Sequence, residues 1–226
     1  MGPPTAKLAT ESLSFGVDGT TIVRGVDLPV AAGETLTVIG PSGAGKSTLL
    51  RLLCRLDEPT DGSVILAGTD YRTLDPTALR PRVGLVPQDP ALRDGSVRDN
   101  VTIGPRPRGD PVDGGRVTEL LERVGLHGYG DREVADLSGG EAQRVAIART
   151  LVVDPEVVLL DEPTASLDPD AQAEIEALLA GLLTEPDRTA VLVTHDQAQV
   201  DRIADRVVRF VDGRVDSEGT PREVLA

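Results

Sequence analysis

Lysine is nearly absent from this sequence: among 226 residues only Lys7 and Lys46 carry an ammonium group, and arginine supplies the remaining positive charge. Against 23 Lys and Arg stand 37 Asp and Glu, a formal net charge of −14. Binding a nucleic-acid backbone requires clustered cations, so this balance excludes a broad nucleic-acid surface. Such self-repulsion is tolerable when screened by salt. A salt-rich cytosol fits the composition, and a GC-rich genome that writes Arg for Lys is the competing explanation. Equal thermal stability in low and molar potassium chloride would overturn the first.

Cysteine is down to one residue. Cys54 has no intramolecular partner for a disulfide, and within Leu52-Leu53-Cys54-Arg55-Leu56 it reads as a small buried thiol. Long apolar runs are missing as well. No stretch reaches the roughly 18 to 20 residues that span a bilayer, and Met1-Gly2-Pro3-Pro4-Thr5 lacks the apolar core of a signal peptide. The expectation is a cytoplasmic protein forming one compact domain, residues 1–226, with a subdomain insertion.

What is present alternates. Short apolar runs at 12–17, 21–30 and 35–39, broken by Asp18-Gly19 and Ala32-Gly33, read as strands. A helix is predicted over 46–56, ended by Glu58-Pro59, with strands at 63–67 and 83–86. From 89 to about 132 the composition changes. Pro105, Pro107 and Pro111 lie beside Gly104, Gly109, Gly114 and Gly115, and are followed by the helical spacing Val117, Leu120, Leu121, Val124. This predicts an inserted helical subdomain, 89–154, with a flexible lead-in. Helices at 141–151, 169–183 and 197–204 then alternate with strands at 157–160 and 190–193, and a hairpin with a turn at Asp212-Gly213 precedes a short helix over 221–226. Strands alternating with helices imply an α/β fold with a mainly parallel sheet covered on both faces.

Gly40-Pro41-Ser42-Gly43-Ala44-Gly45-Lys46-Ser47-Thr48 fits the pattern G-x-x-x-x-G-K-[ST] and lies between a strand and a helix, as that motif requires. Its glycines let backbone N–H groups surround a phosphate, and the helix N-terminus adds positive potential. Lys46 neutralises the outer phosphates, and the Ser47 hydroxyl is a ligand for Mg²⁺. The sequence holds no second copy, which excludes a tandem arrangement. Far downstream, Val157-Val158-Leu159-Leu160 delivers Asp161 and Glu162 to the carboxyl end of a buried strand, the edge at which open α/β sheets bind ligands.

In order with these motifs stand Gln88, Leu137-Ser138-Gly139-Gly140-Glu141 continuing into Ala142-Gln143-Arg144, Ser166-Leu167-Asp168, and Thr194-His195-Asp196. Together they resemble the ATP-binding cassette of ABC transporters over nearly the whole chain, about 8–213. The resemblance implies a P-loop NTPase core of the ABC type (1–88 and 155–226) with a small antiparallel β subdomain, and a helical subdomain that carries the signature. It implies ATP and Mg²⁺ as ligands, with Ser47, Asp161 and Gln88 around the metal. Glu162 would be the general base or water-positioner, with His195 and Gln88 near the γ-phosphate. Ser138, Gly139 and Gly140 would bind a phosphate held by the opposite subunit, with Asp168 at the dimer interface.

The family stacks adenine on an aromatic residue, and Val17 occupies that position here. Phe15, two residues earlier and on the same face of a regular strand, is a possible substitute, so GTP is expected to compete. The implied partners are a second copy or close relative, integral membrane permease subunits at the inner face of the membrane, and a solute-binding protein as a further candidate; nucleic acid is not among them. Residues 86–101 are similar to the loop of phosphate-import cassettes and of small metal-efflux cassettes, which points to phosphate or another inorganic ion. The alternative is a non-transport ABC ATPase, in iron-sulfur assembly or in force transmission to the cell envelope.

Overall fold

Thr35–Ile39 (β3) sits in the middle of the chain's larger sheet, and the strands beside it come from the last fifth of the sequence. The computed structural model describes residues 6–103, 113–183, 185 and 188–225. The proline-rich lead-in at 104–112 lies outside the described residues. The larger sheet has six strands in the order β10-β9-β3-β8-β7-β6, where β6 is Val83–Val86, β7 Val157–Asp161, β8 Thr189–Val193, β9 Arg206–Val211 and β10 Arg214–Gly219. All its pairings are parallel except β9 with β10, as the alternation of strands and helices predicts.

Because successive side chains of a strand point to opposite faces, the apolar runs feed two cores. Val157, Leu159, Val191 and Val193 enter one, with α1 (Lys46–Leu53) and a second, antiparallel sheet. Val158, Leu160, Ala190 and Leu192 enter the other, with Val97 and Val101 of α3 (Val97–Thr102), Val117 and Leu120 of α4 (Gly114–Arg123), Val145 and Ile147 of α5 (Gly139–Leu151), and Ile175 and Leu179 of α6 (Pro169–Leu183). A small third cluster joins Val200 of α7 (Gln197–Ile203), Val207 of β9 and Val224 of α8 (Pro221–Leu225). None of the described helices is long and apolar enough to cross a membrane.

The antiparallel sheet runs β2-β1-β4-β5, from β1 (Ala6–Val17), β2 (Thr20–Ala31), β4 (Asp61–Leu66) and β5 (Thr69–Asp70). Asp18 and Gly19 both take positive φ, 52° and 78°, the mirror-image turn that suits the twist of a two-residue hairpin.

Two expectations need correction. Helix α1 stops at Leu53, three residues short of the predicted end, because Arg55 enters the left-handed region at φ 58°. The Leu56 N–H then donates to Arg51 O (2.8 Å) and the Arg55 N–H to Leu52 O (3.1 Å), a Schellman closure with arginine where glycine is usual. The stretch after Ala67 also holds order that the spacing does not suggest: β5, a single 3₁₀ turn at Tyr71–Thr73, and α2 (Pro76–Leu79), both helical turns capped by aspartates, Asp70 and Asp75.

Candidate nucleotide-binding and active site

The segment 40–47 leaves the carboxyl end of β3 and turns into α1, with Gly40, Gly43 and Gly45 at φ 149°, 78° and 97°. Sterics require two of these glycines. A Cβ on Gly40 would stand 2.0 Å from Phe210 O in β9, and one on Gly45 would meet Ile22 O at 3.0 Å. The turn at Asp212 and Gly213 grips the same loop: Gly213 N–H donates to Ala44 O (3.0 Å), and Gly213 O accepts from Arg24 N–H (2.8 Å). Lys46 is buried and donates to the carbonyls of Gly40 (2.9 Å) and Pro41 (3.0 Å), spending two of its three N–H groups inside the loop.

Strand β7 brings Asp161 opposite this loop. Ser47 Oγ donates to Asp161 Oδ1 at 3.0 Å across 114 residues of sequence. Burial pushes the Asp161 carboxyl above its ordinary range; the neighbouring Glu162 charge adds to the rise, while the Ser47 hydrogen bond and Lys46 oppose it. Glu162 takes φ 43°, left-handed for a residue with a long side chain, and its N–H donates to Val193 O at 2.9 Å. That conformation swings the carboxylate to His195 after β8, with Nδ1 and Oε2 3.2 Å apart. A non-glycine residue held there is of the kind that clusters at active sites. A polar cavity of about 60 Å³ opens beside the pair, lined also by Thr164, Ala165, Gln172, Thr194 and Asp196.

The five remaining sequence candidates make no hydrogen bond or ion pair with this edge among the described residues. Ser138 caps α5: its Oγ accepts from Glu141 N–H (3.2 Å) and Glu141 Oε2 accepts from Ser138 N–H (2.8 Å). Tyr129 OH donates to the other Glu141 oxygen at 2.6 Å. Gly140 packs on Ala171 so tightly that a Cβ would stand 2.9 Å from that of Ala171. Among the described residues no hydrogen bond or ion pair joins Ser138, Gly139 or Gly140 to the phosphate loop. Gln88 is exposed, just past β6, and makes no side-chain hydrogen bond among the described residues. Asp168 caps α6, accepting from Asp170 N–H (3.1 Å) and Ala171 N–H (3.0 Å).

Strand β1 is not regular where Phe15 would substitute for the missing aromatic. Its pairing with β2 shifts between Leu13 and Phe15 and again between Phe15 and Gly16. Phe15 packs against the core while Val17 is 48% exposed, so the regular strand that would put Phe15 on the face of Val17 is not what β1 forms there.

A phosphate loop facing a carboxylate pair on this sheet order narrows the fold, and comparison decides the family: the family described as ABC transporter matches residues 23–165. The chain belongs to the ABC transporter family. Its relatives include STAR1 of Oryza sativa subsp. japonica, 47% identical over 91% of this chain; the chain spans 60% of that protein's length. The phosphate import ATP-binding protein PstB 2 of Natronomonas pharaonis is 44% identical over 97% of this chain and 82% of its own. Others are named for methionine and for sulfate or thiosulfate import. Among solved structures, cbiO1 of Clostridium perfringens, part of the ABC transporter complex cbiONQ, superposes with a TM-score of 0.85 at 34% identity, covering 98% of this chain and 91% of that one. As a member of this family, the chain brings its phosphate loop, Asp161, Glu162 and His195 to one sheet edge, and Ser138 caps α5.

Sequence reasoning missed Thr164, Gln172, Thr194 and Asp196 as walls of the cavity. Only Asp196 carried a signal: beside His195 at a helix start, it caps α7 by accepting from Ala198 N–H (2.8 Å) and holds Gln172 Nε2 at 2.9 Å.

Proposed function

We propose that this ABC ATPase hydrolyses ATP as one half of a pair, each site formed by the phosphate loop of one subunit and the Ser138 helix end of the other. That Ser138 bonds only within its own helix start, with no hydrogen bond or ion pair to the phosphate loop among the described residues, carries this reading. Residues 40–48 bind the phosphates through backbone N–H groups and the remaining Lys46 N–H. Ser47 and Asp161 offer hard oxygens at 3.0 Å from each other, a donor set that fits Mg²⁺, with Gln88 as a third candidate ligand. When bound, Mg²⁺ supplies neutralisation of the β- and γ-phosphate oxygens. Glu162 orients and deprotonates the attacking water, and His195 steadies the Glu162 carboxylate and donates toward the transferring group. Asp168, at the head of α6, meets the partner subunit.

Pairing is tested by mixing. Lys46→Ala and Ser138→Arg should each abolish turnover alone, while a mixture regains activity because one composite site in each mixed dimer is intact. No recovery on mixing would overturn the pairing.

Residues 89–154 act as the body that moves against the core when ATP closes the dimer, driving permease subunits docked near Gln88 at the inner membrane face. The cargo is phosphate or another inorganic ion, supported by the 86–101 loop and the phosphate-import relative. Relatives named for methionine and sulfate import make those the competing solutes. Isolating the permease with the chain, and measuring which solute stimulates ATPase activity in vesicles, separates them. Exposed Val17 leaves adenine without a stacking ring on β1, so GTP competes with ATP; a large affinity difference between the two would contradict this.

A further inference from the structure

Among the described residues the His195 ring bonds to Glu162 alone, and its side chain is 68% exposed. An exposed ring keeps its aim only if the backbone beneath it is fixed. On one side of it Thr194 N–H donates to Val38 O (3.4 Å), and Thr194 Oγ1 accepts from Asp196 N–H (3.1 Å). On the other side Asp196 engages both carboxylate oxygens: Oδ1 accepts from Ala198 N–H (2.8 Å) and Gln199 N–H (3.2 Å), and Oδ2 accepts from Gln172 Nε2 (2.9 Å). The same Gln172 nitrogen donates its second hydrogen to Glu176 Oε1 at 2.9 Å, and Glu176, 8% exposed, is paired with Arg202 of α7. A neutral amide set between two carboxylates, with both hydrogens committed, has one orientation. Helix α6 is thus tied to α7 at two places, and the Gln172 tie falls on the residue next to His195. Polar ties of this kind are poor sources of stability beside apolar packing, and their best-attested use is to fix register. Gln172 also lines the cavity beside Glu162 and His195.

We propose that Gln172 is a positioning residue for His195. Through Asp196 it sets the angle at which the imidazole leaves the end of β8, which holds Nδ1 on the Glu162 carboxylate and leaves Nε2 for the transferring group. Gln172 takes no part in a proton step and needs no contact with the nucleotide. A misplacement of about 1 Å in a catalytic group costs up to about 10²-fold in rate, so a side chain on α6 governs turnover through the ring it aims.

This inference rests on the role proposed for His195, and His195→Ala tells the two apart. Unchanged turnover in His195→Ala removes that role and the positioning with it, whereas a loss there with none in Gln172→Leu keeps the role and sinks the positioning. Gln172→Leu removes both donors at similar volume. Asp196→Asn keeps a helix cap but sets an amide N–H group against that of Gln172, which breaks the same tie from the other side. In the full chain both variants should lower kcat by roughly 10- to 100-fold while KM for ATP stays within about 2-fold. The chain has two histidines, His127 and His195, so a long-range proton–nitrogen NMR spectrum separates their imidazoles, with exposed His127 as the internal control. The His195 signals should shift in both variants and those of His127 should stay. Gln172→Arg, which returns N–H donors to both carboxylates, should recover turnover and the His195 signals. A merely structural tie would lower the melting temperature of Gln172→Leu and leave kcat and the His195 signals of the folded protein unmoved. That result overturns the proposal, as does a loss of kcat as large in Gln172→Arg as in Gln172→Leu. If Gln172→Leu does not fold, Asp196→Asn decides alone.

Discussion

The catalytic edge and the helical side of this molecule are held in place by different means. At the edge, geometry is set by backbone: left-handed glycines at 43 and 45, Gly40 pressed on Phe210 O, Gly213 bonded to Ala44, and Glu162 at φ 43°. On the helical side, long side chains reach backbone carbonyls of distant segments. Gln143 and Arg149 hold the Gln88 loop, Asn100 holds Arg93 O (2.8 Å), Arg116 holds Val152 O (2.8 Å) and Arg144 holds Val124 O (3.0 Å). A backbone-built site tolerates little change of shape, which suits a phosphate that must be cradled to within a fraction of an ångström. Loops tied to these helices by a few side-chain hydrogen bonds, each worth about 1 to 3 kcal/mol, can re-form their ties after moving.

The sharpest way to break this contrast is at Gly40. Gly40→Ala sets a Cβ 2.0 Å from a backbone oxygen, so ATP binding should be lost outright in a filter or fluorescence assay. Retained binding would show that the loop is more adaptable than its contacts indicate. Glu162→Gln comes next: the amide keeps the shape but cannot take a proton, so kcat should fall by roughly 10² to 10⁴ while ATP binding persists and an ATP-bound dimer accumulates on a sizing column. Unchanged turnover would remove Glu162 from its role. The smallest effect separates capping from interface at Asp168. Asp168→Asn keeps the cap and should melt like the wild type, whereas Asp168→Ala should lose about 1 kcal/mol in denaturant unfolding. If Asp168 also meets the partner subunit, both variants should lower turnover; normal turnover in Asp168→Asn would leave it a cap alone.

The same contrast explains what was legible in the sequence. The phosphate loop could be read because a backbone cradle needs glycines at fixed spacing, and β7 and β8 because an unbroken apolar run ending in Asp161 or Thr194 has few other meanings. The early stop of α1 was hidden because Arg55 occupies a left-handed position where glycine would have announced the end. Phe15 was placed on the face of Val17 by assuming a regular strand, and β1 shifts register on both sides of it. Asp168 is visible in any sequence scan, and the carboxylate caps α6. Gln143 and Arg149 sat unread inside the quoted signature helix, since nothing in periodicity says which buried polar side chain will reach a loop 56 or 59 residues earlier.

The grip of residues 210–213 on residues 40–44 has a consequence for how the protein comes into being. The phosphate-motif loop is made early in synthesis, yet its wall, Phe210 O, and its clamp, Gly213 N–H, leave the ribosome some 170 residues later. Strand β3 likewise waits for β8 and β9 before it has a neighbour on either side. Nucleotide affinity is therefore a late acquisition of the nascent chain, and a polypeptide interrupted before β9 carries the full phosphate motif without the means to hold it in shape.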